Sequence, residues 1–322
     1  MEEPIVLGLD FGGTKIAGAV AALDGRGIGE GTIATDPALG ARPNLVRGVA
    51  LARRLVGGRH LAAVGVSTFG IPEKHSVGLA PAIPGWEGLA LGSEISAALG
   101  CDVVRLATDV KAAATAEVAS GALAGHDPAI YLNLGTGLAM AIVCDGRVVT
   151  GANGAAGEIG YSLLRQVEVG HDRHAVLEQV VSGIAIAAAA RERTGLDLTA
   201  AQVFANEADD PRLSELIDGV VRELAFHLVN LAVALNPSRI AVGGGIVRSW
   251  ERLEGPLRAA LASAVPFPPE LVLGAFPFDA ALVGAVSLAV EAAESPEFTD
   301  AVPTAAEASS SYEVWTKGTP GT

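Results

Sequence analysis

An aspartate followed by Gly12-Gly13-Thr14 opens the chemistry of this chain. Asp10 closes a short apolar run that begins at Ile5, and the two glycines after it let backbone N–H groups approach phosphate oxygens, with the Thr14 hydroxyl as a further donor. A carboxylate at a strand's end can also hold Mg²⁺, directly or through water. A plain Gly-rich hairpin would use the same residues. The Walker A pattern is absent, so this is not a P-loop. Gly135-Thr136-Gly137 is a second turn of the same kind. Alone it reads equally as an ordinary turn, but two such hairpins facing each other can clamp one triphosphate from both sides. Asp109 stands where a strand's end meets a helix start. A carboxylate there can take the proton of a hydroxyl that attacks phosphorus, or cap the helix, and the two roles are compatible. Glu158 is a charge inside the Gly-rich stretch Gly154 to Gly160, the kind of charge that is paired or ligand-bound. Glu178 reads equally as a solvated helix residue. His171 and His174 could share a helix face, but a four-ligand zinc site needs partners that two cysteines do not supply.

The elements that must position these groups follow from pattern. Strands are predicted at residues 5–10, 15–23, 29–35, 61–67, 103–107, 130–133, 138–144 and 239–242, with Asp24-Gly25 and Asp145-Gly146 as hairpin turns. Helical spacing predicts helices over residues 42–56, 91–99, 110–123, 175–194, 213–236 and 281–293. Ala80 to Trp86 is a rigid, turn-rich loop. Leu9-Asp10-Phe11-Gly12 matches Leu132-Asn133-Leu134-Gly135, and Asp24-Gly25-Arg26 matches Asp145-Gly146-Arg147, so one pattern occurs twice about 120 residues apart. Such a repeat predicts an α/β protein of two similarly folded lobes facing each other across a cleft.

Composition sets the bounds. The chain has 322 residues, of which 50% are hydrophobic and 18% charged, enough for large cores and unlike a disordered chain. A formal net charge of −14 leaves no basic footprint for nucleic acid, yet nothing in it opposes a nucleotide held by backbone N–H groups and Mg²⁺. Cys101 and Cys144 are expected to be buried free thiols. The acidic start is unlike a signal peptide and no long uninterrupted apolar run is present, so a cytoplasmic protein without a membrane span is expected.

With these pieces assembled, the chain resembles the ROK family of sugar kinases and repressors, within the actin-like ATPase superfamily. Residues 9–15 look like its first phosphate motif and Leu134-Gly135-Thr136-Gly137 like its second. Pro81 to Trp86 is similar to its sugar loop, with Ala82 in place of an asparagine. Thr108-Asp109-Val110-Lys111-Ala112-Ala113-Ala114 is similar to Asn-Asp-Ala-Asn-Ala-Ala-Ala, Gly157 to Tyr161 to Gly-Glu-Ile-Gly-His, and Gly243-Gly244-Gly245 to the adenosine motif. The resemblance implies two actin-like (ribonuclease H-like) lobes around a central cleft, residues 1–117 and 118–294. The final helix, about 281–294, is expected to pack back on the first lobe, and the Ser/Thr/Pro/Glu-rich composition of residues 295–322 predicts a flexible tail.

It further implies an ATP- and Mg²⁺-dependent kinase acting on the terminal (C6) hydroxyl of a hexose or amino-hexose, and a homodimer. Asp109 would be the catalytic base, and Thr108, Asp109, Glu158, Tyr161 and Glu178 would bind the sugar. Asp10, Gly12, Gly13, Thr14, Lys15, Gly135, Thr136 and Gly137 would hold the phosphates, Asp10 with Mg²⁺, and Gly244 and Gly245 the adenosine. Tyr161 replaces the family's zinc-binding His and its Cys-rich motif is missing, so no zinc site is expected. Thr108 and Lys111 replace two asparagines beside the base, which alters the sugar pocket. An amino sugar such as 3-amino-3-deoxyglucose (kanosamine), its ammonium paired with Glu158, is one physical answer, beside glucose, fructose and N-acetylmannosamine. A repressor is not expected, since the first phosphate strand leaves no room for a winged helix before it. A non-catalytic sugar sensor is the alternative.

Overall fold

The computed structural model describes residues 3–166, 169, 170 and 174–294. His171 and the 295–322 tail lie outside the described residues. Three strands come first, β1 (Ile5–Phe11), β2 (Lys15–Ala22) and β3 (Gly27–Ala34), followed by α1 (Ala41–Val56) and β4 (Leu61–Thr68). A short pair, β5 (Ile71–Pro72) and β6 (Val77–Gly78), precedes α2 (Leu91–Leu99), β7 (Val104–Thr108) and α3 (Asp109–Ser120). The pattern restarts with β8 (Ala129–Leu134), β9 (Leu138–Cys144) and β10 (Arg147–Val148). Then come α4 (Glu178–Val181), α5 (Gly183–Thr194), α6 (Ala200–Ala205), α7 (Pro211–Leu235), β11 (Arg239–Gly243), α8 (Trp250–Ala264), β12 (Glu270–Leu273) and α9 (Ala280–Glu294).

The two sheets have the same plan. One runs β3-β2-β1-β4-β7 and the other β10-β9-β8-β11-β12. In each, the first strand pairs antiparallel with the second and parallel with the strand after the crossover. The sequence repeat is therefore a repeat of topology. All seven residues of β1 are buried, as a central strand covered on both faces demands, whereas β3 at the edge is mostly exposed. A core of Leu7, Leu9, Val64, Val66 and Ile95 fills one side of the first sheet, and Ile130, Leu132, Ile217, Leu224 and Leu257 pack on the second.

Helix α9 follows the second sheet in sequence but packs on the first. A Cβ on Gly65 would stand 1.9 Å from the Ala285 carbonyl, and one on Gly284 would stand 1.7 Å from the Ala112 carbonyl. Only glycine allows the backbones of β4, α9 and α3 to touch there.

Several expectations change in detail. The predicted helix over 175–194 is two, because Ser182 leaves the helical path and its hydroxyl accepts from the Ala185 N–H at 3.2 Å, capping α5. The cap of α3 is Thr108, whose Oγ1 accepts from the Lys111 N–H at 3.2 Å, so Asp109 is the first helical residue rather than the cap. Cys101 is buried as expected, but Cys144 is exposed at the end of β9; both are free. Strands β5, β6, β10 and β12 and helices α6 and α8 are additional to those read from sequence. Among the described residues no helix is long and apolar enough to cross a membrane.

Candidate active site

The ends of β1, β4 and β7, with the start of α3, bring acids to one place. Asp10 is 7% exposed and pairs in the sheet with Ser67, whose hydroxyl donates to Asp10 Oδ1 at 2.7 Å. Burial raises the Asp10 carboxyl to about 6, against the lowering effect of the Ser67 hydrogen bond, and the charge of Asp109 adds to the rise. The turn that follows is tied at its base, where the Gly12 N–H donates to the Lys15 carbonyl and the Thr35 hydroxyl to the Gly12 carbonyl. Gly13 and Thr14 stand exposed at the tip. Lys15 Nζ lies 3.3 Å from Oδ1 of Asp279, the residue just before α9, an acid that no motif singles out.

The partner turn is built in the same way. The Gly135 N–H donates to the Gly137 carbonyl at 3.1 Å. From outside, the Gly183 N–H at the start of α5 donates to the Gly135 carbonyl at 2.9 Å, so the break between α4 and α5 anchors this turn. Gly244 has φ +91°, and a Cβ there would stand 2.5 Å from the Leu134 carbonyl and 2.7 Å from Asn133 Oδ1. Gly245 begins the single turn that follows and is open on its side-chain face. The two predicted adenosine glycines thus lie beside the second phosphate turn.

A cavity of about 170 Å³ gathers all five predicted sugar residues, Thr108, Asp109, Glu158, Tyr161 and Glu178, together with Gly137 and Asn133. Phe69, Ile71, Leu79 and Leu138 form its apolar side. A larger hollow, about 510 Å³, lies along Ala187, Ala188 and Arg191 of α5; it is an open depression away from these acids. The smaller cavity is the one with convergent polar groups, the ordinary mark of a small-molecule site. Asp109 is reached by solvent through the cleft, yet the walls surround it, and that enclosure raises its carboxyl; the Val110 N–H, donating to Oδ1 at 2.8 Å, and Lys111 oppose the rise. Glu158 follows Gly157, whose φ of +88° and close approach to the Met140 carbonyl admit no side chain. Glu178 accepts from the Leu138 N–H at 2.9 Å. Tyr161 is 63% exposed, and its partial burial, with the charges of Glu158 and Glu178 adding to it, pushes its phenol up.

Lys111 is the residue that sequence reasoning left without a role. Its side chain is 5% exposed and its Nζ lies 3.9 Å from Glu158 Oε1. Burial pushes the ammonium down and the Glu158 carboxyl up, while each charge supports the other. At that distance and an effective dielectric near 20 the attraction is about 4 kcal/mol. This is of the order of the desolvation cost per ion, so the pair holds only while both members are present. Asn133 was also missed as a cavity residue, although it occupies the place of Asp10 in the repeat. The Pro81–Trp86 loop does not line the cavity. Trp86 is buried in the first core against Phe11 and Phe69, its Nε1 donating to Thr68 Oγ1 at 2.9 Å.

A family profile described as the ROK family matches residues 6–292. The glucokinase of Halalkalibacterium halodurans is 29% identical over 284 residues, covering 80% of this chain and 85% of that one. The kanosamine kinase of Amycolatopsis mediterranei is 28% identical over 316 residues, 92% of this chain and all of that one. Among solved structures, a ROK family glucokinase from Streptomyces griseus in complex with glucose and AMPPNP superposes with a TM-score of 0.75 at 27% identity, covering 89% of this chain and 99% of that one.

Proposed function

The chain belongs to the ROK family, and from that premise we propose that it is an ATP-dependent sugar kinase transferring the γ-phosphoryl group to the C6 hydroxyl of a hexose. The observation that carries this reading is Asp109, which lines the sugar-sized cavity with Glu158 and Glu178 while lying close enough to Asp10 for the two charges to interact. On this reading Glu158, Glu178, Tyr161 and Thr108 hold the sugar by its far hydroxyls, leaving the terminal hydroxyl at Asp109. As that oxygen forms its bond to phosphorus, its proton passes to Asp109 and the bond from phosphorus to the bridging oxygen of ADP breaks. The raised carboxyl of Asp109 makes it a better proton acceptor than an ordinary aspartate.

The turns at Gly12-Gly13-Thr14-Lys15 and Gly135-Thr136-Gly137 would hold the phosphates, and Gly244 and Gly245 would flank the adenosine. Among the described residues no three His, Cys, Asp or Glu side chains form a metal cage. Mg²⁺ needs none, since one carboxylate and the nucleotide's phosphates suffice, and Asp10 fits that part. When bound, the ion would neutralise phosphate charge. Residues 1–117 and 118–294 would act as the two lobes of the clamp, with α9 carried by the first. The resemblance also supports a homodimer, for which Phe226 and Val233 offer apolar surface on one face of α7.

An amino-hexose is the second reading. Among the described residues the cavity is lined by Asp109, Glu158 and Glu178 and by no Lys or Arg, Lys111 lying behind Glu158 at 3.9 Å, and one relative is a kanosamine kinase. Incubating the protein with ATP, Mg²⁺ and a panel of hexoses and aminohexoses, with ADP release and sugar phosphate as readouts, tests the proposal. Phosphorylation of at least one sugar at C6 is expected. Sugar binding with no turnover on any member would favour the non-catalytic sensor.

A further inference from the structure

Lys111 sits where a cation is hardest to keep. It is on the first turn of α3, at the positive end of the helix dipole, and its side chain is buried. Among the described residues its Nζ has no hydrogen-bond partner, the nearest carboxylate oxygen being Glu158 Oε1 at 3.9 Å. A lysine in such a place disfavours folding unless a nearby anion offsets it, and the anions within reach are Glu158 and Asp109. Glu178 lies on the same cavity and accepts only a backbone N–H from Leu138 among the described residues. The two glutamates that face the sugar therefore differ, one carrying a cation behind it and the other not.

From this asymmetry we propose that Lys111 is a specificity-determining residue, whose ammonium occupies the charge of Glu158 so that Glu158 reads a sugar hydroxyl and rejects an ammonium. The inference rests on the kinase reading above. A hydroxyl can donate to Glu158 without disturbing the pair, whereas a second cation at hydrogen-bond distance from that carboxylate meets Lys111 across it. An amino group on the substrate is then tolerated only where it faces Glu178. On this proposal an ammonium does not pair with Glu158, and the two pairings predict opposite effects of Lys111→Met.

The test measures kcat and KM for the panel's best neutral hexose and for its 2-amino and 3-amino derivatives. Wild type, Lys111→Met, Glu158→Gln and the double variant are compared, with Tm recorded for each. Lys111→Met should raise the amino-to-neutral ratio of kcat/KM by about tenfold or more for one of the two amino sugars, mainly through KM, and the double variant should lose that gain. A merely structural role would lower all three sugars together. Ratios for both amino sugars that stay within about threefold in a folded Lys111→Met overturn the proposal. Should Lys111→Met fail to fold, Glu158→Gln decides alone. With Lys111 in place it should cost the neutral and amino sugars equally, and a selective loss of about tenfold for an amino sugar would mean that Glu158 binds an ammonium. No turnover of any sugar by the wild type would instead overturn the kinase reading itself.

Discussion

Asp10 holds a charge that its surroundings resist. Burial raises its carboxyl from an ordinary 3.8 to about 6, so the folded protein keeps a proton there that the unfolded chain has already released. Below about pH 3 both states are protonated and the residue costs nothing. As pH rises towards 6 and beyond, the folded state loses up to about 3 kcal/mol relative to the unfolded one. Asp10→Asn should therefore stabilise the nucleotide-free protein at pH 7.5, leave it nearly unchanged at pH 4, and lower turnover. Urea denaturation at the two pH values checks this, and equal destabilisation at both would contradict it. Asp109 follows the same direction, so the acid limb of kcat/KM should lie above the ordinary aspartate range, with activity falling as pH falls through it. At this scale the acids were legible from type and position, because a charge after an apolar run seldom lacks a task. Lys111 was not, since nothing in a helical sequence says that its ammonium turns inward to Glu158.

Among the elements, the crossing of α3 and α9 sets the position of Asp109, the first residue of α3. Gly284 lies on the Ala112 carbonyl, a backbone atom that cannot rotate away. Gly284→Ala should cost about 1–3 kcal/mol by overpacking and should also lower kcat by displacing α3. Gly219→Ala, inside α7 with open space around it, is the control and should add about 0.5–1 kcal/mol. Thermal unfolding with steady-state kinetics distinguishes them; a neutral Gly284→Ala would mean that the crossing adjusts freely. Most strands and helices were readable because Asp-Gly turns and 3.6-residue spacing mark their ends. The break at Ser182 was not, because Val-Ser-Gly-Ile continues an apolar pattern and only the contact of Gly183 with the Gly135 turn fixes it. Strand β12 was missed because four residues at a sheet edge carry little pattern.

For the whole molecule, two sheets of one topology place Gly12-Gly13-Thr14 and Gly135-Thr136-Gly137 at equivalent strand ends, and the repeat could be read from Leu-Asp-Phe-Gly over Leu-Asn-Leu-Gly together with the two Asp-Gly-Arg turns. The repeat itself shows Asp10 in one half and Asn133 in the other; what it could not show is that Asn133 lines the cavity beside Asp109. Metal analysis of the purified protein should find no stoichiometric zinc, with EDTA acting only through Mg²⁺. Close to one zinc per chain, with stability lost on its removal, would contradict this. The proposed proton transfer to Asp109 during phosphoryl transfer depends on the residue, its helix and the paired sheets together. Turnover of Asp109→Asn on the best sugar of the panel, with sugar affinity measured by calorimetry, tests it most directly. The expected result is kcat reduced by about 10²–10⁴ with the fold and most of the sugar affinity kept. Turnover near that of the wild type would contradict it and leave Asp109 as the first residue of a helix and no more.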